Sequence, residues 1–266
     1  MNILNEIIGS KRTEVAKRKR LRPASTFGDS PWFSRRSASL HDALNRQGRF
    51  PVIAEVKRGS PSAGLFRPDA SAARTAEGYA AGGAAAISVL TDERYFHGSL
   101  GDLTDVRAAV TLPVLRKDFI IDPYQIGEAK AAGADAVLLI ADAAGAVLLR
   151  ELQAAADEAG LETLVELYES KEIDTIETSR MKVIGINNRD LRSFSVDIRH
   201  SIELAALLPD GVLIVSESGI STADHLRELR KHGIDAALIG EHFMRSENPG
   251  KSLARLLKDY ETPGAG

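Results

Sequence analysis

Eight short apolar runs recur along the chain: VIAEVK, AAISVLT, PVLRKDF, DAVLLIA, ETLVEL, VIGINNRD, VLIVSESG and DAALIGEH. Ala-rich stretches of helical character lie between them, among them ASAARTAEGYAAGG, DPYQIGEAKAAG, AAGAVLLRELQAAADEAG and TADHLRELRKHG, several closing on a glycine placed for a left-handed helix cap. Strand followed by helix, repeated, is the pattern of parallel strands joined by right-handed crossovers. A doubly wound open sheet alternates in the same way. The count of eight, a length of 266 residues and the placement of polar residues favour closure into a single (β/α)8 TIM barrel of the α/β class. The expected organisation is a barrel over residues 48–260, an N-terminal helical extension over 1–47 that belongs to the same domain, and a disordered tail over 261–266.

Successive side chains of a strand point to opposite faces. In VIAEVK, Val52, Ala54 and Val56 therefore share one wholly apolar face, while Ile53, Glu55 and Lys57 share the other, which turns charged only at its C-terminal end. The later runs end the same way: Leu115 then Lys117, Leu164 then Glu166, Gly185 then Asn187, Val215 then Glu217. Burying an ionised group costs several kcal/mol unless it is paired, so a core alone does not collect Lys57, Lys117, Glu55, Glu166 and Glu217 at equivalent positions. Barrel active sites lie at the C-terminal ends of the strands, where such a set has work to do. Two late segments add a phosphate signal. In SESGIST, Gly219 lets the backbone approach an anion and Ser221 or Thr222 can cap the next helix; LIGEHFMR runs through Gly240 into a short extra helix. Loops after the seventh and eighth strands are the usual phosphate cradle of a barrel.

A formal charge of −3 gives nucleic acid no basic surface to bind, and a small phosphorylated molecule is the better partner. The absence of cysteine excludes disulfide and thiolate chemistry and suits a reducing cytoplasm. No stretch has the length of a membrane span or the build of a signal peptide. The basic run from Lys11 to Arg22, with Glu14 and the apolar Ile7, Ile8, Val15 and Leu21, reads as a helix with a solvated face, followed by a loop-like stretch from Pro23 to Ser39. A phosphorylated substrate beside two lysines and several carboxylates fits acid–base chemistry on a carbonyl compound. Lys57 or Lys117 can serve either as a Schiff-base amine or as an ammonium that protonates an oxygen. No His stands at a matching strand end and no paired-His motif occurs, so no metal and no cofactor are expected.

The segments IAEVKRGSPSAG, SVLTDERYFHGS, PVLRKDFIIDPYQI, GADAVLLIA, LVELYE, IGINNRDL, SESGI and LIGEHFMR stand in one order, over essentially the whole chain, in which the sequence resembles the indole-3-glycerol phosphate synthase family. The resemblance implies closure of 1-(2-carboxyphenylamino)-1-deoxy-D-ribulose 5-phosphate to indole-3-glycerol phosphate, with loss of carbon dioxide and water, in tryptophan biosynthesis. It implies Lys117 as the general acid on the ribulose carbonyl, Glu166 as an acid–base carboxylate in dehydration, and Lys57 as a substrate-binding partner and second proton source. Glu55 is expected to orient Lys57. Asn187, Arg189, Glu217 and Ser218 match polar substrate ligands, with an ion-pairing role for Arg189 as the alternative, and Ser60 lies in a lid over Arg58–Pro68. Phe96, Phe119 and Leu138 match the slot for the anthranilate ring. Gly219, Gly240 and Glu241 fall at the phosphate. Glu241 stands where many members place a small residue, so contact is expected through its backbone N–H with the side chain turned away. The enzyme so implied is a cytoplasmic carboxy-lyase, expected to be a monomer.

Overall fold

The computed structural model describes residues 3–262, apart from 47 and 191 and the side chain of residue 179. Each apolar run forms a strand: β1 (Val52–Val56), β2 (Ala86–Leu90), β3 (Val114–Lys117), β4 (Ala136–Ile140), β5 (Glu162–Leu167), β6 (Val183–Asn187), β7 (Leu213–Glu217) and β8 (Ala236–Ile239). Neighbours pair in parallel, and β1 closes the ring against β8 through Val52 opposite Ala237 and Ala54 opposite Ile239. The open-sheet alternative is thereby excluded, and the chain is a (β/α)8 barrel.

The two strand faces sort as their sequences require. Val52, Ala54 and Val56 join Ile87, Val89, Val137, Leu139, Val165 and Ile184 in the layer between barrel and helices. Ile53, Ala86, Leu115, Ala136, Leu164, Val183, Val215 and Ala236 fill the barrel interior. Each such aliphatic side chain contributes about 1.5–3 kcal/mol by leaving water. The interior is packed with aliphatic side chains, so charged groups on the inward face gather at its ends.

Helices follow the strands: α1 (Ile3–Leu21) and α2 (Leu40–Leu44) precede the barrel, and α3 (Ala72–Gly82), α4 (Glu93–Phe96), α5 (Leu100–Ala109), α6 (Pro123–Ala132), α7 (Ala141–Ala159), α8 (Arg199–Ala205), α9 (Ala223–Lys231), α10 (Glu241–Met244) and α11 (Pro249–Glu261) surround it. Gly83 and Gly133 end α3 and α6 with φ of 96° and 98°, a left-handed conformation costly for any residue with a Cβ. α10 is the short extra helix expected after Gly240.

The leader runs from one end of the barrel to the other. Leu4, Ile7 and Ile8 of α1 and Leu40 and Leu44 of α2 belong to the same apolar cluster as the barrel interior. α1 lies over the C-terminal mouth, tied to residues that follow β2 and β3. At the opposite end, the carboxylate of Glu162, the first residue of β5, accepts the Ser39 hydroxyl at 2.9 Å and the His41 N–H at 2.8 Å. The stretch Pro23–Ser39 contains a 3-10 turn at Ala24–Asp29, with Phe27 buried against Tyr124. The solvated face expected of the basic run holds for Arg12, Lys17 and Arg20, but Lys11 is buried and Arg18 half-buried, because Asp118 after β3 and Glu128 of α6 receive them. At the other terminus α11 continues through Glu261, whose carboxylate pairs with Arg49 at 2.6 Å; from 263 onward the tail expected over 261–266 lies outside the described residues. No helix among the described residues is long and apolar enough to cross a membrane.

Candidate active site

Lys117, the last residue of β3, places its ammonium between two carboxylates from across the barrel: Glu166 of β5 at 3.1 Å and Glu217 of β7 at 3.0 Å. Glu166 also accepts the Asn187 amide at 3.3 Å, and the Asn187 carbonyl oxygen accepts the Ser218 hydroxyl and the Arg189 N–H, each at 3.0 Å. On β1, Lys57 pairs with Glu55 at 3.0 Å. Side chains from β1, β3, β5, β6 and β7 thus converge on one rim because each occupies the inward register at its strand's C-terminal end.

Enclosure sets the electrostatics. Lys117 is only 14% exposed, and burial alone would lower its pKa, but Glu166, Glu217 and Glu55 outweigh that and raise it above the ordinary lysine value. The amine is therefore held protonated. Glu217 moves the other way for a carboxylate: burial, with Glu166 and Glu55 adding repulsion, overcomes the attraction of Lys117 and pushes it up to about 8. Its second oxygen, Oε1, is buried and has no hydrogen-bond partner among the described residues. That oxygen faces Gly185, where a methyl group would overlap it.

A cavity of about 390 Å³ opens above this constellation. Its apolar wall includes Phe96, Phe119 and Leu138, with the two phenyl rings 6.0 Å apart, and Leu90, Ile140 and Leu238 extend it. Opposite, the loops after β7 and β8 bring backbone to the surface at Gly219 and Gly240. Ser218 and Gly219 take consecutive positive φ values of 71° and 79°, a conformation costly at a non-glycine residue. Glu241 turns its carboxylate along α10 to Arg245 at 2.9 Å, with Arg189 at 3.8 Å. Arg189 also donates to the Phe194 carbonyl at 3.3 Å, so its acidic partner comes from the start of α10 and not from its own loop. The lid segment forms a small antiparallel ribbon, Gly59–Ser60 with Gly64–Leu65, and Ser60 faces the cavity. Its two ends are pinned: Arg58 grips Asp102 with both guanidinium arms at 2.7 Å, and Arg67 donates to the carbonyls of Met244 at 2.9 Å and Glu247 at 3.0 Å.

Every candidate named from the sequence lines this one cavity: the acid–base set Lys57, Lys117 and Glu166, the substrate set Glu55, Ser60, Phe96, Phe119, Leu138, Asn187, Arg189, Glu217 and Ser218, and the phosphate set Gly219, Gly240 and Glu241. Others on the wall were not singled out. Ile3 and Ile7 reach it from α1, Ser62 from the lid, Phe194 from the loop after β6, and His242 and Arg245 from α10. The helical spacing of Ile3 and Ile7 was legible, but not the surface they would meet. His242 and Arg245 sit inside LIGEHFMR, one and four residues beyond Glu241.

An ammonium caught between carboxylates at the C-terminal mouth of a closed barrel puts the chain among the (β/α)8 enzymes that work by acid–base chemistry. Comparison with known proteins narrows the class. A family model described as indole-3-glycerol phosphate synthase matches residues 4–256. Proteins of that name from Salinibacter ruber and Rhodopirellula baltica are 48% and 46% identical to it, over 96% and 92% of this chain and 95% of each relative. One from Bordetella pertussis is 43% identical over 96% of this chain and 99% of the relative. The chain belongs to the indole-3-glycerol phosphate synthase family. Among solved structures, a thiamine phosphate pyrophosphorylase from Pyrococcus furiosus superposes with a TM-score of 0.59 at 18% identity, covering 84% of this chain and 98% of that one. The alpha subunit of tryptophan synthase from Legionella pneumophila gives 0.59 at 12% identity, covering 84% and 97%; at such identities the likeness concerns the fold alone.

Proposed function

We propose that this chain closes the indole ring: it converts 1-(2-carboxyphenylamino)-1-deoxy-D-ribulose 5-phosphate to indole-3-glycerol phosphate, carbon dioxide and water. The observation that carries the reading is the Lys117 ammonium, shared by Glu166 and Glu217 beneath a cavity lined by Phe96, Phe119 and Leu138 and by the loops at Gly219 and Gly240. The aromatic ring lies against Phe96, Phe119 and Leu138, and the phosphate against the backbone at Gly219, Gly240 and Glu241, where a carboxylate already engaged by Arg245 repels it less. This arrangement brings the ribulose carbonyl to Lys117.

As the carboxylate-bearing ring carbon attacks that carbonyl, Lys117 delivers its proton to the oxygen on which charge develops. Loss of carbon dioxide then restores the aromatic ring. In the dehydration that follows, Glu166 exchanges a proton beside the departing hydroxyl, and Lys57, oriented by Glu55, binds substrate and supplies a second proton. A Schiff-base role suits Lys117 poorly, because its carboxylate neighbours hold the amine protonated and a nucleophile must first lose that proton. Borohydride treatment in the presence of substrate should therefore leave Lys117 unmodified, while indole absorbance should develop with the carboxyphenylamino substrate. No absorbance change with active-site-intact protein would overturn the assignment. We further infer one domain comprising leader and barrel, working as a cytoplasmic monomer; sedimentation at micromolar concentration tests the last point.

A further inference from the structure

One enclosed ionic cluster takes no part in the chemistry above. The Lys11 side chain, 1% exposed, carries its ammonium 2.8 Å from Asp92, 2.8 Å from Asp118 and 3.0 Å from Glu14. Both aspartates are themselves fixed. Asp118 accepts the Thr91 hydroxyl at 2.6 Å, the Arg116 guanidinium at 2.9 Å and the N–H of Phe119 at 2.8 Å. Asp92 caps α4 by accepting the Tyr95 N–H at 2.7 Å. Burial works against the charge on Lys11, but Asp118 and Asp92 outweigh it and hold the group ionised.

The partners of this ammonium are the walls of the cavity. Asp118 stands between Lys117 and Phe119, and α4, capped by Asp92, ends in Phe96. Ile7 lies one helical turn before Lys11 and Ile3 another turn before that, so the three share a face of α1, and both isoleucines line the cavity. Other ties of α1 lie nearer its C-terminus or further toward solvent: Arg18 to the buried Glu128 at 3.2 Å and to Glu93, Lys19 to Asp122, and Glu6 to the Tyr95 hydroxyl at 3.1 Å. Among the described residues, Lys11 is the cation of α1 that pairs directly with the residues just past both β2 and β3.

We propose that Lys11 is a positioning residue: shared by Asp92 and Asp118, its ammonium seats Ile3 and Ile7 over the cavity and keeps Lys117 and the Phe96–Phe119 pair in place around the aromatic ring of the substrate. The inference rests on the ring-closing reading for the identity of that ring. Lys11 touches no reacting atom and acts through the residues it holds.

The test uses the full chain with Lys11→Met, Lys11→Arg and the double variant Lys11→Met/Asp92→Asn, in which Asn keeps the cap on Tyr95 but removes an orphaned charge. Two readouts are taken well below the unfolding midpoint: amide hydrogen exchange of residues 3–10 without substrate, and kcat and KM with the carboxyphenylamino substrate. Lys11→Met is expected to exchange residues 3–10 at least tenfold faster and to raise KM about tenfold, with a smaller fall in kcat. Lys11→Arg is expected to recover most of both. If Lys11→Met does not fold, the double variant, freed of the unpaired Asp92, carries the same expectations. A variant with a lowered melting temperature but unchanged KM, kcat and exchange would overturn the proposal, leaving Lys11 a purely structural residue. If the wild type fails to convert the substrate, the ring-closing reading fails separately, and unchanged exchange at residues 3–10 still overturns the docking role.

Discussion

Replacing Lys117 by Met keeps the length of the side chain and removes its charge. In the wild type the ammonium touches Glu166 at 3.1 Å and Glu217 at 3.0 Å, so the two carboxylates it separates lie within about 6 Å of each other. At an effective dielectric constant near 20, like charges at that distance repel by roughly 3 kcal/mol, or about two pKa units, which adds to the burial that already pushes Glu217 up to about 8. Without the ammonium to lower it, the carboxyl of Glu217 keeps its proton to higher pH than in the wild type, and the variant is expected to be more stable at mildly acidic than at alkaline pH. Its catalytic loss has another origin. A positioned general acid contributes about 10²–10⁴ in rate, or roughly 3–5 kcal/mol of the barrier, and it does so mainly in the transition state. Single-turnover measurements of indole absorbance should show kcat falling by about a thousandfold, with substrate affinity, read by quenched-flow partition or calorimetry, changed only a few-fold. A variant that lost binding but turned over bound substrate at the wild-type rate would refute the assignment of Lys117 as the acid.

Glu217, whose carboxyl is pushed up to about 8, is predicted to shape the alkaline limb of the rate profile. Above that pH it loses its proton, the added negative charge tightens the hold of Lys117 on its own proton, and kcat falls; Glu217→Gln stays neutral, so the same pH titration should show that limb removed. In Gly240→Ala the new methyl would overlap the Glu55 side chain and push it off Lys57. A cost of about 1–3 kcal/mol in stability is expected, visible in denaturant melts, together with a loss of activity larger than that of a surface substitution. Asp118→Asn breaks a buried pair to Arg116 and Lys11 at a cost of about 3–5 kcal/mol, lowering the melting temperature by roughly 10 °C. Arg116 and Lys11 outweigh burial and hold the Asp118 carboxyl below the usual aspartate range. Its contribution is therefore present above the ordinary aspartate pKa and lost as pH falls below it, so acid unfolding of the wild type should begin there and the asparagine variant should lack that component.

The barrel was legible because the period of two along each strand is a local property. Ile53, Glu55 and Lys57 share a face whatever the rest of the chain does, and the same rule placed Lys117, Glu166, Asn187 and Glu217 on the inward register. Convergence on one rim then follows from strand direction. The role of α1 was not legible, since it depends on encounters across long separations: Lys11 with Asp92 and Asp118, Arg18 with Glu128, Ser39 with Glu162. A lysine among other basic residues carries no mark that distinguishes the buried one from its solvated neighbours. The partner of Arg189 was hidden for the same reason, because Glu241 reaches it from the start of α10. The phosphate-side glycines were visible as turns, but the left-handed backbone at Ser218, a residue type that does not advertise it, emerged only from the three-dimensional path.

Because Ile3 helps wall the candidate site, an affinity tag or fusion partner attached ahead of it starts close to the cavity. Kinetic work is better served by a handle after Thr262, beyond α11, or by cleaving an N-terminal one before assay. The same proximity makes the third residue a convenient place for a small fluorophore that reports occupancy of the cavity.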